Sequence, residues 1–167
     1  MSTPYDGNCM FTAIADQLYA AGIDSELRSA NDIRLQLVRF IECDGSMCLS
    51  ISHGLDQGDS VENYLDRMKK TGTWGDGNIL SAAAMCYKVQ INIYTAGQLQ
   101  PAVIDNNDMS QSEKLILCMG YVSEIPGVAE SHYVSLRKIT ITSMETMPSI
   151  SSTPTARGNT DLLSGFI

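Results

Sequence analysis

Basic charge is scarce in this chain: 11 Lys and Arg face 19 Asp and Glu over 167 residues, a net charge of −8. A general nucleic-acid binder needs a basic face to neutralise phosphates, so nucleic acid is not an expected partner. Long apolar runs are missing too. None approaches the ~18 residues a membrane span needs, so no membrane is expected. Histidine is almost absent, with His53 and His132 alone. Cysteines stand at 9, 43, 48, 86 and 118, without a CxxC pair. Cys43 and Cys48 are close, but no second close pair completes a zinc site, and neither metal nor cofactor is expected. There is no G-x-S-x-G elbow, no phosphate loop and no Rossmann glycine pattern, so serine-hydrolase and nucleotide chemistry find no support. The N-terminus carries no basic-then-apolar signal. Free thiols then fit a reducing, intracellular compartment, and a cytoplasmic monomer is the expectation.

What is present is an ordinary globular composition, 44% hydrophobic, long enough to bury one core. From Cys9, apolar residues at Phe11, Ile14, Ala15 and Leu18 recur at helical spacing, behind the turn residues Asp6, Gly7 and Asn8. Ser29 with Asp32 three residues on predicts a capping box, and Ile33, Leu37, Phe40 and Ile41 supply the helix face that follows. Residues 45–59, rich in Gly and Ser, read as a loop. Ser60 opens a third helix with Val61, Tyr64, Leu65 and Met68, and an alanine-rich helix is expected over 78–87. Alternation at Val89, Ile91 and Ile93 predicts a strand; 115–119 and 132–138 read as two more. Helices precede most strands, so the expected class is α/β of α+β character, a small central sheet packed between helices. The domain should close near 141, leaving 142–167 as a Ser/Thr/Pro-rich linker or tail. Residues 162–167 turn apolar again.

One cysteine has a setting that suits chemistry. Cys9 stands at the expected head of a helix, where unpaired backbone N–H groups and the positive dipole end favour thiolate over thiol. A thiol nucleophile needs a base, and His132, at the start of an expected strand, is the better of the two histidines. His53 falls in the expected 45–59 loop and is assigned no role. Cys86 and Cys118 read as small core residues, and Cys43 and Cys48 have no identifiable base. Spacing alone places a Cys–His hydrolase ahead of its rivals.

Three ordered blocks carry a resemblance. "DGNCMFTAIADQL" resembles the nucleophile motif of the ovarian-tumour (OTU) family of cysteine deubiquitinases; "YLDRMKKTGTWGDGNILSAAAMCYKVQINIY" resembles its middle block, and "SHYVSL" its histidine block. The likeness runs from about Asp6 to about Leu136. It implies an OTU-type fold that cleaves the isopeptide bond between the C-terminal glycine of ubiquitin, or a ubiquitin-like modifier, and a lysine. The partner implied is ubiquitin or a ubiquitin-like protein. On this resemblance Cys9 is the nucleophile, His132 the base and Asp6 a third member of the set. Backbone N–H groups from Asp6, Gly7, Asn8 and Cys9 would form the oxyanion hole. Trp74 and Tyr133 match aromatics near the centre, suited to a channel that admits two glycines; core packing is the plainer alternative for Trp74. Glu130, two residues before His132, is the carboxylate best placed to meet ubiquitin's basic tail.

One position departs from the family pattern. Many members carry Asp or Asn two residues after the histidine to orient the imidazole; here that residue is Val134, which accepts no hydrogen bond. Orientation would then come from Asp6, Asn8, a backbone carbonyl or nothing, and slow turnover is one expected consequence. A ubiquitin-binding module without activity and a polyprotein-processing protease are the alternatives. The nucleophile motif also begins close to Met1, so the chain is expected to be trimmed or a fragment.

Overall fold

A computed structural model describes residues 6–105, 115–122 and 132–137. All of them belong to the unit Met1–Arg137. Five helices come first: α1 (Cys9–Ala20), α2 (Ala30–Cys43), α3 (Gly45–Gly54), α4 (Val61–Met68) and α5 (Gly77–Tyr87). The strands β1 (Val89–Thr95), β2 (Ala102–Ile104), β3 (Leu115–Val122) and β4 (His132–Ser135) follow. They form one mixed sheet in the order β2-β1-β3-β4, in which β1 and β3 are parallel and the outer pairs antiparallel. This is the mixed α/β class expected. The proposed tail, 142–167, lies outside the described residues.

Local chemistry explains most helix boundaries. Ser29 and Asp32 cap α2 reciprocally, satisfying two backbone donors at once. Ser60 caps α4, and the Asp76 carboxylate accepts from Asn78 and Ile79 to start α5. Lys88, in the left-handed region at φ 53, ends α5 and turns the chain into β1. The expected loop at 45–59 is in fact helix over ten of its fifteen residues. The Asp44 carboxylate accepts from the Ser46 and Met47 amides, and Met47 and Ile51, one turn apart, are buried. His53 therefore sits exposed in the last turn of α3 rather than in a loop.

Helix α1 is the centre of the fold. Met10 and Ala13 are as buried as Phe11, Ile14, Ala15 and Leu18, so its apolar surface is wider than the one face its spacing implies. It packs on β3 and β4 on one side and on α2 on the other; α5 lies against β1 and β2, and α3 and α4 pack on α2. The helix-facing side of the sheet buries Val89, Ile91, Leu117 and Met119. On the opposite side Tyr94, Val103 and Ile116 are exposed. Cys118, which alternates with Leu117 and Met119, is only partly buried and is not the core residue its apolar neighbours imply. Cys86 is likewise only partly buried.

Candidate active site

The loop before α1 is shaped by short-range bonds that its sequence encodes. Asp6 accepts from the Asn8 backbone N–H at 3.0 Å and from the Asn8 side-chain amide at 3.1 Å. Gly7 has φ +71, and a Cβ there would collide with the Gly72 carbonyl oxygen, so only glycine fits. The Asn8 side-chain oxygen accepts from Gly72 N at 3.1 Å and from Arg34 at 2.8 Å. Two sequence expectations change here. The Asn8 amide N–H is engaged by Asp6 and is no vacant oxyanion donor, and the Asn8 side chain is occupied within the loop.

Arg34 of α2 braces this loop, and its sequence position gave no hint of it. It is fully buried, its guanidinium carbon lies 3.9 Å from the centroid of the Phe11 ring, and it donates to the carbonyls of Met68, Gly7 and Thr73 at 3.0, 3.2 and 2.7 Å. Burial pulls its pKa down, opposed by the nearby Asp6 charge. The effect is mechanical. One planar cation ties the cysteine loop to the segment that carries Trp74, and Gly75 in that segment lies directly against Met10 and Phe11. Trp74 itself is 37% exposed, so it is no core residue.

Strand β4, which packs on α1, carries His132 at its head. His132 pairs with Val122 and Tyr133 with Tyr121, at the carboxyl end of β3. Leu136 N–H donates to Cys118 O, and hydrogen-bonded pairs alternate along an antiparallel ladder. The Tyr133 N–H is thereby turned away from β3, and its dipole lowers the Cys9 pKa. Cys9 is fully buried at the head of α1 and His132 is 3% exposed at the head of β4. The Tyr133 ring packs on Tyr121, centroids 5.0 Å apart, and burial raises its pKa, with the Tyr121, Cys9 and Asp76 charges adding to the shift. Val134 shares a strand face with His132 and crosses to Gly120, where a Cβ would approach Val134 to 2.8 Å. Glu130 lies outside the described residues.

The thiol is not in the state its helix position implies. Burial pushes the Cys9 pKa up, reinforced by the Asp6 charge; the backbone N–H groups of Tyr133, Met10 and Cys9 act the other way without prevailing. Burial therefore favours the thiol over the thiolate, against backbone N–H groups that favour the anion. Burial is a tertiary property, and no count of residues from a helix start contains it. Cys43, by contrast, is exposed. Among the described residues no group of three or more His, Cys, Asp or Glu is arranged to hold a metal, and no helix is long and apolar enough to cross a membrane.

Comparison with known proteins gives this arrangement a context. The family model described as OTU-like cysteine protease matches residues 4–133. A deubiquitinating enzyme of Arabidopsis thaliana, number 10 of its ovarian-tumour-domain set, is 28% identical over 130 residues; the match takes in 75% of this chain and 32% of that protein. The chain thus spans about a third of that relative's length. Among solved structures, the OTUD1 OTU domain aligns with a TM-score of 0.57 at 22% identity, covering 81% of this chain and 82% of that one. A Wolbachia pipientis OTU deubiquitinase bound to ubiquitin aligns with a TM-score of 0.54 at 16% identity, covering 80% and 93%. Both share the fold described above.

Proposed function

Because this chain belongs to the OTU-like cysteine protease family, we propose that it is a thiol isopeptidase acting on ubiquitin or a ubiquitin-like modifier in the reducing cytoplasm. The observation that carries the reading is the packing of α1, headed by Cys9, on β4, headed by His132. The printed names of relatives as deubiquitinating enzymes, and a neighbour bound to ubiquitin, supply the substrate class.

In this reading the Cys9 sulfur attacks the carbonyl carbon of the modifier's last glycine while His132 takes the thiol proton. The carbonyl electron pair moves to oxygen, where backbone N–H groups of the loop before α1 would stabilise it. Collapse breaks the C–N bond, and His132 returns the proton to the departing lysine amine. Water, deprotonated by His132, then cleaves the thioester, releasing the carboxylate and restoring the thiol. Asp6 serves as a positioning residue that sets the loop through Asn8. Trp74 and Tyr133 flank the channel for the two glycines, and Glu130 meets the basic tail. A panel of diubiquitin linkages incubated with wild type and Cys9→Ala tests the reading. Cleavage by the wild type alone is expected. Equal cleavage by both, or by neither, overturns it.

A second reading has one observation in its favour. Val134, beside His132 on the strand, offers the imidazole no acceptor, which suits a module that binds ubiquitin without cutting it. An electrophilic ubiquitin C-terminal probe separates the two: covalent capture at Cys9 supports the isopeptidase, and tight binding without capture supports the module.

A further inference from the structure

Gln17 sits on α1 about two turns, ~12 Å, beyond Cys9. It is 7% exposed, and its amide is fully used. The Cys118 N–H donates to its side-chain oxygen at 2.8 Å; its side-chain nitrogen donates to Leu136 O at 2.7 Å and to the Ser135 hydroxyl at 2.7 Å. These are not arbitrary partners. Leu136 N–H donates to Cys118 O at 3.0 Å, so these two residues form a hydrogen-bonded ladder position whose reciprocal bond would run from Cys118 N–H to Leu136 O. The Gln17 carboxamide stands in that reciprocal bond, donor facing acceptor at both ends, like one extra peptide spliced between β3 and β4. Next to it, Asp16 accepts from the Ser135 hydroxyl and pairs with Arg137 at 2.9 Å.

We propose that Gln17 is a positioning residue for the reaction, fixing the register of β4 against α1 and so the placement of His132 relative to Cys9. The inference rests on the isopeptidase reading. Its geometric basis is that, among the described residues, β4 is a strand of four residues paired to β3 over that length. A strand that short is weakly fixed in register, and a slip of one residue displaces it by ~3.3 Å and turns His132 to the other face. Helix α1 is rigid over the two turns that separate Gln17 from Cys9. Clamping Leu136 to one point on the helix therefore sets the Tyr133 amide opposite the sulfur at the other. An ordinary surface glutamine at this helical position would leave no such constraint.

The test compares wild type with Gln17→Met, which keeps the volume and loses every bond, and Gln17→Glu, which keeps the acceptor for Cys118 and gives up the donor. Two measurements are made on each. One is the pH profile of kcat and KM on a fluorogenic ubiquitin substrate. The other is the NMR titration of the His132 ring together with hydrogen exchange at the Cys118 amide. Gln17→Met is expected to lower kcat ~10- to 100-fold, with KM within about twofold, to displace the acid limb of the profile, and to shift the His132 titration, with Gln17→Glu between the two. A loss of folded protein alone lowers the amplitude and leaves the acid limb and the ring titration where they are; that result, or an unchanged kcat, overturns the proposal. A wild type with no turnover whose His132 titration still moves in Gln17→Met overturns the isopeptidase reading and leaves the clamp standing.

Discussion

The two halves of the site are built to different standards. On the cysteine side, Asp6, Gly7, Asn8 and Gly72 interlock, and a fully buried arginine binds the assembly from beneath. On the histidine side, among the described residues, a four-residue strand is held by its ladder to β3, by packing on α1, and by Gln17 and Asp16. The contrast teaches that the nucleophile is fixed by redundancy and the base by a few removable contacts. Damage to the first side should appear as lost stability together with lost rate, and damage to the second as lost rate alone.

The largest effect is expected from removing Arg34. Arg34→Met leaves the carbonyls of Met68, Gly7 and Thr73 and the Asn8 oxygen short of a donor. At about 1–3 kcal/mol per buried unsatisfied group, stability should fall by roughly 3 kcal/mol or more, read by urea unfolding. Arg34→Lys should recover only part of it, since an ammonium has no planar fork to stack on Phe11. A loss under about 1 kcal/mol would erase the contrast between the two sides. Asp6→Ala comes next: about 1 kcal/mol of stability, and a fall in kcat/KM of ~10²-fold if the loop geometry matters to the reaction as argued. Steady-state kinetics beside thermal melts separates those contributions.

The thiols offer a sharper contrast at smaller cost. With the Cys9 pKa raised by burial, a small neutral alkylating reagent at pH 7 should modify exposed Cys43 first, and Cys9 labelling should climb only as pH passes the ordinary thiol range. Peptide mass mapping across pH 6–10 checks this, and early selective labelling of Cys9 would mean that the resting sulfur is a thiolate. The same shift has a stability sign. A group that gains proton affinity on folding supports the fold below the unfolded-state thiol pKa and loses that support as pH rises through the raised value. Cys9→Ala should flatten this alkaline loss. The smallest effect is expected from Val134→Asn, which sets an amide on the strand face shared with His132: kcat should change by less than about threefold if the clamp at Gln17 already positions the ring. A tenfold gain would show that orientation, not register, limits the base.

What the sequence disclosed was whatever is written locally. The Ser29 and Asp32 pair is a complete instruction for a helix start, and the alternation at Val89, Ile91 and Ile93 is one for a strand. Cys9 and His132 were legible from residue type and the order of blocks. Helix α3 was hidden by its own composition, since Gly45, Gly54 and their serines resemble a loop unless the Asp44 cap and the Met47 and Ile51 spacing are weighed against them. Arg34 and Gln17 were hidden for a different reason. A polar residue within a helical pattern reads as solvent-facing until its partners, far away in the chain, are known. The direction of the Cys9 pKa shift is not legible in the sequence, because a helix terminus is local and burial is not.

The choice of acceptors beneath the cysteine loop also governs how this sequence can drift. Of the four groups that Arg34 serves, three are backbone carbonyls, at positions 7, 68 and 73. Every amino acid carries that carbonyl, so the bond places no demand on the side chain at 68 or 73. Substitutions there that respect their packing can accumulate without touching the brace, whereas position 34 has no substitute that supplies the same fork. Selection for folding in a library randomised at 34, 68 and 73 should therefore return arginine at the first position, apolar residues of varied shape at 68, which is buried, and a broader alphabet at 73.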